Sequence, residues 1–307
     1  MNNSAWFVSL GSQFVTTSAR RELHQRLIAE QIDAAPNVEA ERKAIVLAGP
    51  PGAGKSTRLN EILGAQRDKY LVIDADEFKQ GLLHEALDDG TYESWIKPEQ
   101  IHERQRAGER FFPLELASLV HEESSMLAGK LRETALGQGT NIVVDTVLSS
   151  DASAQALGRQ LTAAGYSVEV IDVEVPFEIS ESRIAQRWQQ SYESALKSGD
   201  GLGGRWVPSE YARGVFDGAD GRSKPEIAAE VLAHNCPNVM RYRVYRTTQE
   251  ATDQVPAVGG WEKDLSRVKA GGPLLDSALA AIAKRVAVAR PQRAAGKRPP
   301  STDLGRG

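Results

Sequence analysis

The sequence predicts an α/β fold, in which a parallel β-sheet is flanked by helices and enlarged by helical insertions. The first observation is a set of four short apolar runs separated by segments of helical period: KAIVLAG (43–49), YLVIDAD (70–76), NIVVDT (141–146) and SVEVIDVEV (167–175). Strands that alternate with helices form parallel sheets whose two faces are both covered. The second observation is a glycine-rich turn directly after the first run.

Composition and charge narrow the range of partners. The chain has 307 residues, 41% of them apolar, so it can bury a full core. Its net charge of −4 gives no bulk attraction to nucleic acid or to an anionic membrane, and we expect neither as a partner. Cys236 is the only cysteine, which excludes a disulfide within the chain and suits a reducing compartment. Without a long apolar run or a signal-like N-terminus, the sequence indicates a cytoplasmic protein.

The regions before and after the four runs differ from the main domain, which we place at residues 43–284. Residues 1–42 are predicted to be an N-terminal helical extension, because apolar side chains in Arg20–Ile32 recur at helical spacing. Residues 285–307 are rich in Ala, Pro, Gly and Arg, with six basic residues and one acid. This composition predicts a disordered basic tail, and a contact with nucleic acid or a protein partner is the alternative.

The spacing of the runs leaves room for insertions. About 60 residues separate the second run from the third, more than one crossover helix needs, and the excess predicts a helical substrate region. The elements expected here and further on are helices at Ile101–Phe112, Leu114–Leu136, Phe177–Leu196 and Pro225–Ala233, a flexible loop at Ser198–Gly204 and a late strand at Val239–Thr248.

The glycine-rich turn matches the phosphate-binding pattern G-x-x-x-x-G-K-[ST], and it stands between a predicted strand and a predicted helix, as that pattern requires. Its backbone N–H groups would surround the phosphates of ATP or GTP, Lys55 would reach the β- and γ-phosphates, and the Ser56 hydroxyl would bind Mg²⁺. The predicted nucleotide-binding residues are Gly49, Pro50, Pro51, Gly52, Ala53, Gly54, Lys55, Ser56 and Thr57. The fold is therefore predicted to be of the P-loop NTPase type. The loop alone does not separate a kinase from an ATPase motor, a GTPase switch or a nucleotide-gated binding module.

Two aspartates end the second run, where ligands gather in α/β sheets. Asp74 and Asp76 point the same way if the strand continues through both, so one could orient a Mg²⁺-bound water while the other accepts a hydroxyl proton. We predict Asp76 as the catalytic base of a kinase. The alternative is that Asp76 is only the N-cap of a helix at Glu77–Leu87.

Asp145 ends the third run and is predicted to hold Mg²⁺ together with Ser56, with a capping role as the alternative. Arg183 and Arg187 share one face of the predicted helix at Phe177–Leu196, and Arg205 follows the glycine-rich loop. Guanidinium groups can hold a transferring phosphoryl group, although arginines of this kind are also common on solvated surfaces. The five histidines show no metal-ligand spacing.

Beyond the phosphate loop, three segments resemble the zeta-toxin family of P-loop kinases. The segment Val72–Lys79 (VIDADEFK) is similar to the family's V-I-D-x-D-x-F-K strand, whose second aspartate is the base. The resemblance thus implies that Asp76 is the base. Val175-Pro176 and Gln186-Arg187-Trp188 are similar to its V-P…E-R-Y stretch, and Arg205–Pro208 (RWVP) to its R-x-x-P turn, which implies γ-phosphate contacts for Arg187 and Arg205.

The same resemblance implies where the acceptor binds. His121–Ser125 (HEESS) is similar to a helix that carries a substrate-contacting carboxylate, here Glu123, and Asp145 stands where the family strand ends in glutamate. Asp74, Glu123 and Asp145 are accordingly predicted to bind substrate. The sequence departs from the family's E-G-T-G-R, with Asp145–Ser149 (DTVLS) in its place, and the interval between Arg187 and Arg205 is longer, so that Ser198–Gly204 could be a mobile lid.

The family's activity implies transfer of the γ-phosphoryl group to a sugar hydroxyl, foremost the 3′-hydroxyl of UDP-N-acetylglucosamine, and an antitoxin protein as a partner. Two alternatives stay open from the sequence. One is a kinase for another small molecule, such as an NAD or antibiotic phosphotransferase. The other is a nucleotide-gated ATPase or interaction protein, which would hydrolyse nucleotide without phosphorylating an acceptor.

Overall fold

The computed structural model describes residues 6–10, 13–199, 201–247 and 260–289. Its strands are β1 (Phe7–Leu10), β2 (Gln13–Thr16), β3 (Lys43–Ala48), β4 (Leu71–Asp74), β5 (Ile142–Asp145), β6 (Ser167–Glu174), β7 (Val239–Arg246), β8 (Lys263–Ser266) and β9 (Leu275–Asp276). Its α-helices are α1 (Ser18–Asp33), α2 (Lys55–Leu63), α3 (Ala75–Asp88), α4 (Glu99–Arg106), α5 (His121–Gln138), α6 (Asp151–Ala163), α7 (Phe177–Ser198), α8 (Ser209–Phe216), α9 (Lys224–Asn235) and α10 (Ser277–Ala289).

The main sheet has seven strands in the order β4-β5-β3-β6-β7-β8-β9. The first five run parallel to their neighbours, whereas β8 and β9 are added antiparallel at the edge. All four apolar runs form strands of this sheet, so the predicted parallel sheet with flanking helices is confirmed. The late strand is confirmed as β7, and the position Thr248 of that prediction lies outside the described residues.

Continuous apolar runs arise because both faces of the sheet are covered. Val46 and Leu47 are neighbours on β3 and point to opposite faces, yet both are fully buried. Val46 belongs to the larger core, which also holds residues of α3, α5, α6 and α9, and Leu47 belongs to a smaller core that includes Leu59 of α2. With the helices on both faces, the carboxyl ends of β3, β4 and β5 form one edge, and the phosphate loop, Asp74 and Asp145 lie along it.

The capping alternative for Asp76 is wrong. Strand β4 ends at Asp74, whose carboxylate Oδ1 accepts a hydrogen bond from the backbone N–H of Asp76 at 2.8 Å. Asp74 is therefore the N-cap of α3, which begins at Ala75. Because the backbone turns helical after Asp74, the two aspartates do not continue one extended strand.

The insertion between β4 and β5 is less helical than predicted. The helix expected at Ile101–Phe112 is α4, which ends at Arg106 ahead of Gly108, a residue with φ of 98° that a helix cannot contain. The helix expected from Leu114 starts at His121, because Pro113–Val120 forms a 3₁₀ segment instead. In that segment the Glu115 carboxylate accepts a hydrogen bond from the backbone N–H of Phe112 at 2.7 Å.

The terminal regions also differ from the predictions. An antiparallel hairpin of β1 and β2 precedes α1, so the N-terminal extension is not purely helical. Helix α10 continues to Ala289, so residues 285–289 are helical rather than disordered. The helix as a whole is rich in alanine, the residue with the highest helix propensity. Residues 290–307 of the predicted tail lie outside the described residues. Within the part of the chain that is described, no helix is long and apolar enough to span a membrane.

Candidate active site

The phosphate loop connects β3 to α2 and depends on its glycines. Gly49 has a φ of 132°, and a Cβ on it would lie 2.2 Å from the carbonyl oxygen of Val173 on β6. Gly54 is the N-cap of α2 with a left-handed φ of 92° and no side chain to bond the first N–H groups of the helix. Those N–H groups therefore remain available to an anion, which is the arrangement by which helix N-termini bind phosphate.

Lys55 lies folded over this loop. Its Nζ donates to the carbonyl oxygen of Gly49 at 3.0 Å and lies 3.9 Å from Oδ1 of Asp145. Burial lowers the pKa of Lys55, while the Asp145 carboxylate acts in the opposite direction. The ammonium group is thus held between the loop and the end of β5, where the terminal phosphates of a bound nucleotide would lie.

Helix α7 fastens the loop from the other side. The Ser180 hydroxyl donates to the carbonyl oxygen of Pro51 at 2.6 Å. The Arg183 guanidinium donates to the carbonyl oxygens of Gly52 and Ala53 at 3.3 and 3.2 Å. The sequence suggested Arg183 only as a phosphate ligand on the same helix face as Arg187. Ser180 was not predicted at all, since nothing in the sequence links it to a loop about 130 residues earlier.

Two carboxylates stand side by side at the ends of β4 and β5, where Asp74 and Asp145 are partners in the parallel register. Burial, and then the charge of Asp145, raise the pKa of Asp74 to about 6. Burial also raises the pKa of Asp145, and Lys55 opposes that shift. The pair therefore concentrates negative charge next to the lysine of the phosphate loop.

The oxygens at this edge suit Mg²⁺, which takes one or two carboxylates together with water and nucleotide phosphates rather than a cage of protein ligands. Among the described residues, no group of three or more His, Cys, Asp or Glu side chains could hold a metal ion. Ser56 is exposed at the start of α2. Oδ1 of Asp145 lies 3.9 Å from Nζ of Lys55, the residue before Ser56. The chemistry of Ser56 and Asp145 suits an ion that arrives with the nucleotide, and their role as its ligands stays a prediction.

Asp76 lies in the first turn of α3 and contacts two cations. Its Oδ1 accepts a hydrogen bond from Nζ of Lys79 at 2.9 Å, and its Oδ2 is bonded by the guanidinium of Arg205. Burial lowers the pKa of Arg205, and Asp74 opposes that effect. The structure thus brings together two residues 129 positions apart that were predicted as base and phosphate ligand.

Arg187 is exposed on α7, one turn after Arg183, which bonds the phosphate loop. Glu123 has a different environment. Its carboxylate is bonded by Arg20 of α1 at 2.7 and 2.8 Å and by Nε2 of His24 at 2.6 Å. Burial would raise the pKa of Glu123, but the hydrogen bonds from Arg20 and His24 lower it to about 2. Its predicted role in substrate binding stays a prediction.

The fold and this edge of the sheet define a P-loop α/β protein, with a glycine-rich phosphate loop, a lysine and carboxylates at the ends of adjacent parallel strands. The sequence matches the family model described as Zeta toxin over residues 28–93 and 102–251, well over half of the chain. The chain therefore belongs to the zeta toxin family, whose members are generally P-loop kinases. No curated protein matches the sequence.

Two of the similar solved structures support the fold, and a third matches with a lower score. The AvrRxo1-ORF1:-ORF2 complex matches with a TM-score of 0.52 and 18% identity, over 88% of this chain and 73% of that one. The AvrRxo1-ORF1:-ORF2 structure with ATP matches with a TM-score of 0.52 and 19% identity, over 90% and 79%. The PezAT toxin-antitoxin structure of Streptococcus pneumoniae has a TM-score of 0.49 and 13% identity, over 81% and 82%.

Proposed function

We propose that this protein is an ATP- or GTP-dependent kinase that transfers the γ-phosphoryl group to a hydroxyl of a small molecule, with UDP-N-acetylglucosamine as the first candidate acceptor. The observation that supports it most is the contact between Arg205 and Asp76 at the same sheet edge as Lys55. A phosphate ligand and a carboxylate base must meet at one point for phosphoryl transfer to a hydroxyl. An ATPase that phosphorylates no acceptor does not need a carboxylate base for an acceptor hydroxyl beside its phosphate ligand.

In this proposal each residue has one task. The loop N–H groups and Lys55 bind the β- and γ-phosphates, and Arg187 and Arg205 neutralise the charge of the transferring group. Ser56 and Asp145 would hold Mg²⁺, which supplies further neutralisation of the phosphate oxygens when it is bound. Asp76 accepts the proton of the acceptor hydroxyl as its oxygen attacks phosphorus.

The choice of acceptor rests on membership in the zeta toxin family. Asp74 and Glu123 are proposed to contact the acceptor, and the segment that follows Asp145 departs from the family pattern, so the pocket is the part most open to change. The nearest alternative is a kinase for NAD or an antibiotic. Because AvrRxo1-ORF1 was solved in complex with AvrRxo1-ORF2, an antitoxin-like protein partner is also proposed for this chain.

The test is an acceptor panel. The purified chain is incubated with ATP or GTP and Mg²⁺ plus UDP-N-acetylglucosamine, NAD or representative antibiotics, and each acceptor is examined by mass spectrometry for the gain of one phosphoryl group. The control is Lys55→Ala, which lacks the positively charged side chain of the phosphate loop. We expect phosphorylated UDP-N-acetylglucosamine with the wild type only. Nucleotide hydrolysis with no phosphorylated acceptor in the panel or in a metabolite extract would instead indicate an ATPase switch.

A further inference from the structure

Lys79 is a buried lysine that the roles assigned above do not use. It lies on α3, three residues after Asp76, and only 8% of it is exposed. Its Nζ donates to Oδ1 of Asp76 at 2.9 Å. Residues three apart lie on the same face of a helix, so the backbone of α3 fixes this pair without help from a loop.

The surroundings of Lys79 and Asp76 come from four elements. Asp74 precedes α3, Arg205 bonds the second oxygen of Asp76, Tyr211 stands on α8, and His121 opens α5. Burial lowers the pKa of Lys79, whereas Asp74 and Tyr211 raise it. Burial and then the charge of Lys79 lower the pKa of His121. Lys79 is therefore electrostatically coupled to residues on α5 and α8 as well as to Asp76.

Burying an ammonium group has a substantial cost in free energy, and an apolar side chain of similar length would fill the same space without it. A buried ion pair is thus weak evidence for a stabilising role. The hydrogen bond to the predicted base gives a chemical reason for a cation here. An ionised carboxylate has about four lone-pair sites. The bond from Lys79 to Oδ1 fixes the plane of the carboxylate, and Oδ2, which Arg205 bonds, keeps a second lone-pair site for the acceptor hydroxyl.

We propose that Lys79 is a positioning residue for phosphoryl transfer: it fixes the Asp76 carboxylate through Oδ1 and keeps it ionised, so that Oδ2 accepts the proton of the acceptor hydroxyl. This inference rests on the kinase activity proposed above. In the step, the acceptor oxygen forms a bond to the γ-phosphorus, and the bond from that phosphorus to the bridging oxygen breaks. The proton moves to Asp76, and the nucleoside diphosphate leaves.

The test compares Lys79→Met with Lys79→Arg in steady-state kinetics over a range of pH. Methionine keeps the length and removes the charge, so we expect kcat to fall by about 10-fold or more, with the KM for nucleotide within about 2-fold. Because a neighbouring cation favours an ionised carboxylate, the acid limb of the kcat/KM profile should move to higher pH in Lys79→Met. Lys79→Arg should restore most of kcat and return the limb towards its wild-type position.

Lys130→Met, at an exposed lysine of α5, is the matched control and should leave kinetics and melting temperature unchanged. Equal losses in Lys79→Met and Lys79→Arg, with a lower melting temperature and no movement of the acid limb, would show a structural role and overturn the inference. So would wild-type kcat in Lys79→Met. If the wild-type chain phosphorylates no acceptor, the proposed function fails and the inference falls with it, whereas an active wild type beside an unaffected Lys79→Met overturns the inference alone.

Discussion

Asp74 and Asp76 show how two identical side chains two residues apart acquire different environments. Strand β4 ends at Asp74, whose carboxylate caps α3. Asp76 is therefore the second residue of the helix, and its carboxylate contacts Lys79 and Arg205. The sequence predicted Asp76 as the base and left open whether it is only the N-cap of the helix. The cap depends on where the strand ends, and that boundary is set by a hydrogen bond that composition does not reveal.

Asp76→Asn separates proton acceptance from shape. Asparagine preserves the volume and can still accept a hydrogen bond from Lys79, but it cannot take the proton of the acceptor. Since Asp74 is the cap, α3 should be unaffected. Acceptor phosphorylation is expected to fall by about 10²-fold or more while nucleotide affinity stays the same. The measurements are turnover with the identified acceptor and calorimetric nucleotide binding, and wild-type turnover would remove Asp76 as the base.

Arg183 and Arg187 provide a second contrast on a single helix. Arg183 bonds the carbonyl oxygens of Gly52 and Ala53, whereas Arg187 is exposed and acts on Lys55. Arg183→Ala should loosen the loop and weaken nucleotide binding by about 10-fold, as expected when one or two hydrogen bonds are lost. Arg187→Ala should mainly lower kcat, because contacts to the transferring group strengthen in the transition state. Identical effects of the two variants on Kd and kcat would contradict this division.

At the scale of elements, the strands that the sequence predicted are those buried on both faces, because only there do apolar residues run without interruption. Strands β8 and β9 at the edge of the sheet were not predicted, because they lack such apolar runs. All four residues of β8 are only partly buried, and β9 has two residues, so neither leaves an apolar run. The contact between α1 and α5 could not be predicted from the sequence either, since Arg20 and Glu123 are 103 positions apart.

The contact of Glu123 with Arg20 and His24 should make part of the free energy of unfolding depend on pH. The pKa of Glu123 is lowered from its usual value to about 2, so its contribution is present above the unfolded pKa near 4.5 and is lost as the pH falls towards 2. A shift of this size corresponds to roughly 3 kcal/mol at neutral pH. Glu123→Gln should therefore be less stable than the wild type at pH 7, with a difference that shrinks by pH 3. Urea titrations at both pH values measure it, with the exposed neighbour variant Glu122→Gln as the control.

For the whole molecule, the strand order explains why residues from distant segments form one site. Strand β3 lies between β5 and β6, so its phosphate loop is flanked by carboxylates from β4 and β5 on one side and by α7, which follows β6, on the other. Motifs predicted the phosphate loop between β3 and α2. The roles that motifs and resemblance gave to Asp76, Arg187 and Arg205 stay predictions. The motifs and the resemblance missed Ser180 because its loop contact depends on how α7 packs. Lys79 is the last residue of the VIDADEFK segment, and its spacing of three from Asp76 could have predicted that the two side chains lie on the same face of a helix.

The two terminal regions should differ in their importance, and paired truncations test this. The family match begins at residue 28, inside α1, yet Trp6, Leu23 and Leu27 are buried in the main core. The ring of Trp6 lies 3.5 Å from the guanidinium of Arg20, which bonds Glu123. Removing residues 1–33 takes away these apolar groups and leaves Glu123 unpaired.

We expect the chain without residues 1–33 to lose several kcal/mol of stability, since burial of each large apolar side chain contributes about 1.5–3 kcal/mol and an unpaired buried charge adds to the loss. A chain ending at Ala289 should keep the melting temperature and the proposed kinase activity of the 307-residue chain, because the described core lies before that residue. Thermal melts and acceptor phosphorylation of both truncations decide the matter. A stable, active chain without residues 1–33 would show that the extension is dispensable for the fold, and lost activity in the chain ending at Ala289 would assign the basic segment a role in the reaction.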